Sequence, residues 1–364
     1  MDNTFYHENN LSGLKRSDFQ KSINGKETDL FILSNENNAE IAVTNYGGAI
    51  LTIMVPDKNG NIENVIQGHD TIENVINSPE PFLSTLIGRY GNRIAKGKFK
   101  LDGKEYQLTI NNGPNSLHGG PTGFHARVWD AEQTSKQSLT LHYLSKDGEE
   151  GFPGNLDITV VYTLSDNNEL IITYTANTDK KTLVNLTHHA FFSLSGVKSP
   201  TASVENNILT INADFYTPID EVSIPTGEIS KVENTPMDFR MPQIVGSRIN
   251  DKFQQLIYGA GYDHCYVLNK EEQGSLTFAA KCIEPNSGRS IEVYTTEPGV
   301  QLYTANWHNG FKGYHGATFP ARSAICFEAQ RFPDTPNKGH FPSAVLLPGE
   351  TYHQVTIYKF GIEK

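Results

Sequence analysis

The chain has 364 residues, 37% hydrophobic and 20% charged, enough to bury a large core as one big β domain or two ordinary domains. A formal net charge of −11 with no Lys/Arg block argues against a nucleic-acid partner or an anionic membrane surface, and leaves small neutral polar ligands. Gly (31), Tyr (16) and Phe (19) are plentiful and helix formers are not dominant, so strands joined by turns are expected.

Residues 1–24 are polar and are expected to be loosely ordered, or an edge strand at best. Met1 to Gln20 hold no apolar run, so no signal peptide is expected, and no stretch is long and apolar enough for a transmembrane helix. From Asp29 the pattern turns β-like: Leu30–Leu33, then Ile41–Tyr46, then an apolar run from Ala49 to Pro56 closed by a hairpin turn at Asp57–Asn61. Pro81 to Ile87 is one of two short helix candidates; the other is Ile249 to Leu256. Asn92 and Arg93 follow, residue types that bind oxygen-rich ligands through forked hydrogen bonds, although a structural ion pair suits Arg93 equally well.

A second hairpin centres on Asp102-Gly103. His118 comes next, on a turn-dense loop before Gly119 and Gly120. Strands at Leu139–Leu144, Leu156–Leu164 and Leu170–Asn177 read as an antiparallel meander. If 184–194 is one strand, alternation puts Asn185, Thr187, His189 and Phe191 on one face. Leu186, His188, Ala190, Phe192 and Leu194 take the other, apolar face. His189 is then the working imidazole and His188 a core residue, unless a bulge reverses them. Asp263 could serve a site or cap a turn, and Gln301 is a hydrogen-bonding group inside a strand. Glu328 lies in a strand with apolar residues on both faces, where a carboxylate is costly unless paired or used. Phe124, Trp129, Tyr303 and Trp307 could stack on a ligand, though the core is the better place for most of them. Tyr352–Phe360 alternates as a closing strand.

Cys265, Cys282 and Cys326 are far apart with no C-x-x-C pair, so they read as reduced and buried, which suits a cytoplasmic location. No linker separates two domains, and residues 25–364 read as a single β domain, a sandwich or a barrel. Nothing resembles G-x-G-x-x-G after a strand or a P-loop, so no nucleotide cofactor is expected. Adjacent His188 and His189 on opposite faces do not make a zinc site, and no G-x-S-x-G supports a serine nucleophile. A glycosidase wants two positioned carboxylates, whereas one carboxylate and imidazoles suit an acid–base pair.

At these residues the chain resembles the aldose 1-epimerases, the galactose mutarotases. Gly88-Arg-Tyr-Gly-Asn-Arg-Ile-Ala-Lys-Gly-Lys-Phe is similar to the family's G-R-x-x-N-R-I-x-x-G-x-F, and the segment from Asn111 to Gly120 to its N-x-x-x-x-L-H-G-G. Further matches are Asp147–Gly154, Asn185–Phe192, Tyr262–His264, Thr296–Gln301 and Phe327–Asn337 followed by Phe341-Pro, all in family order. His188 stands where the family has Asn, Ser193 replaces a later Asn, and Gly91 takes a usually small position.

The resemblance implies a large antiparallel β-sandwich of the galactose-mutarotase type with few short helices, a sugar cleft and no cofactor or metal. Glu328 matches the general base and His189 the general acid, placed on opposite sides of the anomeric centre. His118 matches the second histidine, and Asn92, Arg93, Asp263 and Gln301 match sugar-hydroxyl contacts. The implied reaction interconverts the α and β anomers of a free aldohexose such as galactose or glucose, in a monomer or homodimer. A non-catalytic sugar-binding module is the alternative of another class; an epimerase of phosphorylated hexoses would need a basic cluster that the acidic chain lacks.

Overall fold

The computed structural model describes residues 5–200 and 202–363. Met1–Thr4, part of the polar segment discussed above, lie outside the described residues, as do Thr201 and Lys364. The described residues form an antiparallel β-sandwich with two short α-helices. A nine-stranded sheet runs, edge to edge, through Asp130–Ser135, Ser138–Ser145, Leu156–Leu164, Glu169–Thr178, Tyr352–Ile362, Arg289–Thr295, Thr277–Ile283, Ile208–Ile211 and Gln243–Ile244. The expected meander forms its first half, and the expected closing strand sits in its middle, between Glu169–Thr178 and Arg289–Thr295.

Burial alternates along these strands: in Leu156–Leu164 and Tyr352–Phe360 every second side chain is buried. One face therefore packs inward and the other meets solvent, the period-two pattern that fixes register. The inward face meets a four-stranded sheet (Leu30–Ser34, Glu40–Thr44, Ile50–Pro56, Ile62–Asn64) and a five-stranded sheet. Ile41, Ile53, Ile158, Ile172, Leu302, Phe327 and Tyr358 share this core. Each such fully buried side chain contributes about 1.5–3 kcal/mol.

The five-stranded sheet comprises Ser230–Lys231, Phe215–Tyr216, Asp263–Val267, Gly299–Tyr303 and Cys326–Gln330. Its last two strands are buried along their whole length, so both faces are covered. Tyr266, Val300, Leu302 and Phe327 face the core. Cross-strand pairing then sets Asp263 beside Tyr303 and Gln301 beside Glu328 on the opposite face.

Both predicted hairpins form. Asp57 Oδ1 accepts the Asn59 and Asn61 amides, and Asp102 and Gly103 take φ of 50° and 78° between Lys98–Leu101 and Lys104–Gln107. Residues 5–24, for which composition suggested loose order, pack instead. Leu14 and Phe19 are buried, the Glu40 carboxylate accepts the Leu11 and Ser12 amides, and Arg16 pairs with Asp29 at 2.6 Å. An Asn24-Gly25 turn, with φ of 53° and 78°, joins Lys21–Ile23 to Lys26–Thr28. That dipeptide is a hairpin signal in its own right.

The helix expectations need correction. Residues 81–84 form a turn in which Ser84 takes φ of 51°, and Leu86–Ile87 pair as a strand with Thr187–His188. Phe82, Leu83 and Leu86 mimic helical spacing, but they serve three different environments: the cleft described below and two separate core clusters. The second helix occupies Gln254–Gly259, later than expected, because residues 248–252 turn first and Ala260 ends it in the left-handed region. A helix not foreseen, Ile72–Ile76, starts at Thr71, whose hydroxyl accepts the Asn74 amide at 3.2 Å.

Candidate active site

On its non-core face, the five-stranded sheet floors a cleft of about 590 Å³. Glu328 and Asp263 rise from that floor, and His189, His118, Asn92 and Arg93 line the walls. All but Arg93 are buried. Sequence positions spread over more than two hundred residues thus converge on one cavity.

His189 follows Thr187–His188, the only part of 184–194 in a regular strand. The alternation expected of a longer strand nevertheless holds for the side chains. His189 faces the cleft and its ring stacks on Phe191 at 4.6 Å, while His188 is buried 5.9 Å from Tyr162. The backbone stays extended because it bonds in turn to Thr85, Ser84, Gln67 and Ile325. Leu186, Ala190, Phe192 and Leu194 join the main core, as alternation requires.

His118 and Asn92 hold each other. The Asn92 amide donates to His118 Nδ1 at 3.0 Å, and the His118 amide donates to the Asn92 carbonyl at 3.1 Å. Both residues take positive φ, 53° and 66°, a conformation that costs energy and persists only where its surroundings enforce it. Gly119 makes this possible, since a Cβ there would lie 2.0 Å from the Gly88 carbonyl oxygen. Nδ1 is occupied, so His118 offers its Nε2 to a ligand.

Arg93 Nε donates to Asn112 Oδ1 at 3.0 Å, and its Nη1 lies 3.7 Å from Asp263 Oδ2. Gln301 is not on the cleft wall. It is buried beside Glu328 in the sheet and donates from Nε2 to Asp263 Oδ1 at 2.7 Å. Of the four aromatics considered, Phe124 and Trp129 are core, Tyr303 lines the cleft and Trp307, 68% exposed, stands at its rim.

Glu328 Oε1 lies 3.5 Å from His189 Nε2. The expected base and acid thus stand side by side and not across a gap. Burial pushes the Glu328 carboxyl well up, Asp263 adds to this and Arg93 opposes it. Burial pulls His189 down to about 3 and His118 well below its ordinary value. Both members of the close pair are therefore driven toward their neutral forms.

His118, His189 and Glu328 also present two ring nitrogens and a carboxylate oxygen within 4.8 Å of one another. A divalent ion such as zinc accepts that donor set. Sequence reasoning did not single out Glu80, Phe82, Tyr258 or the 221–223 turn, all of which line the cleft. Phe82 packs edge-on against His118 at 4.7 Å. Glu80, Phe82 and the 221–223 turn lie in irregular segments and Tyr258 in a helix of six residues, where neither periodicity nor composition marks a side chain as facing a ligand.

The sequence profile of the aldose 1-epimerase family matches residues 29–359. The galactose mutarotase of Bos taurus is 42% identical over 323 residues, covering 88% of this chain and 91% of that protein. The aldose 1-epimerase of Escherichia coli K12 is 35% identical over 337 residues, covering 91% and 95%. Among solved structures, an aldose epimerase homologue from C. elegans superposes with a TM-score of 0.85 at 29% identity, covering 93% of this chain and all of that one. The chain belongs to the aldose 1-epimerase family.

Proposed function

We propose that this protein interconverts the α and β anomers of free aldohexoses such as galactose and glucose, with Glu328 as general base and His189 as general acid. The observation that carries this reading is the 3.5 Å approach of Glu328 Oε1 to His189 Nε2 in a buried cleft. The reaction moves one proton off O1 and one proton onto O5, and both oxygens are bonded to C1. A base and an acid a few ångströms apart can serve both atoms without the sugar moving.

Glu328 takes the proton of the C1 hydroxyl as the C1–O5 bond breaks, and His189 delivers its proton to O5. The open-chain aldehyde turns about C1–C2, and the two groups exchange roles as the ring closes on the other face of C1. The exchange starts from an ionised Glu328 and a protonated His189, a pair that burial makes costly to form, and ring opening returns both groups to the neutral state that burial favours. His118 polarises the ring oxygen or holds the sugar, while Asn92, Arg93 and Asp263 accept and donate to sugar hydroxyls, with Gln301 fixing the Asp263 carboxylate. Three free, buried cysteines support a cytoplasmic location as part of the same reading, and no helix among the described residues is long and apolar enough to cross a membrane.

Polarimetry on freshly dissolved α-galactose tests the assignment. Glu328→Gln should lower kcat about 10²–10⁴-fold while sugar binding stays measurable; a near-normal rate in that variant would remove Glu328 as the base. The metal-compatible spacing of the trio supports a second reading, in which an ion polarises the sugar. Dialysis against EDTA separates the two: the proton-transfer reading expects an unchanged rate. A loss restored by zinc would reassign the trio as ligands.

A further inference from the structure

Glu80 lies on the cleft wall, and the base, the acid and the hydroxyl contacts above make no use of it. It sits between Pro79 and Pro81, whose rings fix their own φ and hold the residues before them extended. Its Oε1 accepts the Phe82 amide at 3.2 Å, and its other carboxylate oxygen has no hydrogen-bond partner among the described residues. No described Lys, Arg or His forms an ion pair with it. Its charge nonetheless reaches across the cleft, where it helps to raise the Tyr303 hydroxyl and the Glu328 carboxyl. Burial lifts Glu80's own carboxyl to about 7, so it is largely ionised in mildly alkaline solution.

The cleft's charges are unequal. Besides Glu328, which burial drives toward its neutral form, Glu80, Glu221 and Asp263 line it, against Arg93 as the one Lys or Arg among the described residues, and Arg93 is already turned toward Asp263. An unpaired carboxylate in a concave site with low-dielectric walls projects its field into the space that the substrate occupies. A neutral sugar meets that field with hydroxyl hydrogens. A sugar bearing a carboxylate or phosphate meets it with a like charge.

We propose that Glu80 is a specificity-determining residue that favours neutral aldoses and repels sugars carrying a carboxylate or phosphate. This rests on the reading of the cleft as a site of anomer exchange. The test is anomer exchange of galactose and of galacturonate at pH 8, followed by NMR magnetisation transfer in the wild type and in Glu80→Gln. The glutamine keeps an oxygen for the Phe82 amide and removes the charge. The galacturonate-to-galactose ratio of kcat/KM should rise about tenfold or more in the variant, the size expected for one partly screened charge. In the wild type the same ratio should climb with ionic strength, and in the variant that climb should flatten. A ratio unchanged by Glu80→Gln overturns the proposal. Should the variant not fold, a wild-type ratio independent of salt overturns it instead. A wild type that exchanges no galactose defeats the functional reading and this one with it, whereas a normal galactose rate with an unchanged ratio defeats only the role of Glu80.

Discussion

His188 and His189 are neighbours in the chain, both buried and both pulled down to about 3 by burial, yet they lie in different surroundings. His189 faces Glu328 and the cleft, whereas His188 faces Tyr162 and the core. His189→Asn should therefore lower kcat about 10²-fold or more with little change in melting temperature, and His188→Asn should lower the melting temperature and leave kcat near wild type. Polarimetry and thermal denaturation on the two variants decide this, and swapped behaviour would reverse the roles. Gln301 calls for a different signature. It holds Asp263 at 2.7 Å and lies off the cleft wall, so Gln301→Leu should raise KM for galactose more than it lowers kcat. Alternation alone distinguished the two histidines in the sequence, because a side chain's face follows from backbone period even where hydrogen bonds switch partners. It did not show that Gln301 would bond to Asp263. Cross-strand register sets which side chains meet, and register is absent from a single strand's pattern.

At the scale of elements, the floor of the site was more legible than its walls. Apolar residues mark the strand that carries Glu328, and pairing in the sheet places Asp263, read from the sequence as a site residue or a turn cap, on the same face. The walls are loops, and their geometry depends on close backbone approach. Gly119 shows how. Its φ is 82°, and an added Cβ would fall 2.0 Å from the Gly88 carbonyl oxygen, in the segment leading to Asn92. Gly119→Ala should cost about 2–4 kcal/mol of stability through strain and backbone displacement. Because the displacement moves the mutually bonded Asn92 and His118, kcat should fall as well. Denaturant unfolding and polarimetry on the same sample check both, and a variant with wild-type stability and rate would show that the loop has room to adjust. The run from Pro81 to Ile87 misled for a related reason: its apolar residues satisfy three separate environments, and no periodic pattern encodes that.

The whole molecule buries an unusual set of titratable groups, and they make its stability depend on pH. Burial lowers His188, His189 and His264 to about 3, His69, His125 and His308 to about 4, and His118 well below its usual value. In the unfolded chain each titrates near 6.5. Between those limits the unfolded state binds more protons than the folded state. The stabilisation is therefore fully present above about pH 6.5 and is lost as pH falls toward 4 and below. Glu40, Glu80, Glu297 and Glu328 act with the opposite sign: their raised carboxyls favour the fold at low pH, and that contribution fades as pH rises through their folded values. The two windows overlap, but the seven histidines outnumber the four carboxyls. Acid should thus win, with a loss on the order of several kcal/mol across the histidines' window. Melting temperature measured from pH 8 to pH 4 should fall steeply below about 6.5, and His264→Asn, which removes one buried imidazole that does not line the cleft, should make the fall shallower. A melting temperature flat over that range would mean that the imidazoles gain protons without unfolding, and the cleft would then not be the low-dielectric site that favours a neutral Glu328 and His189.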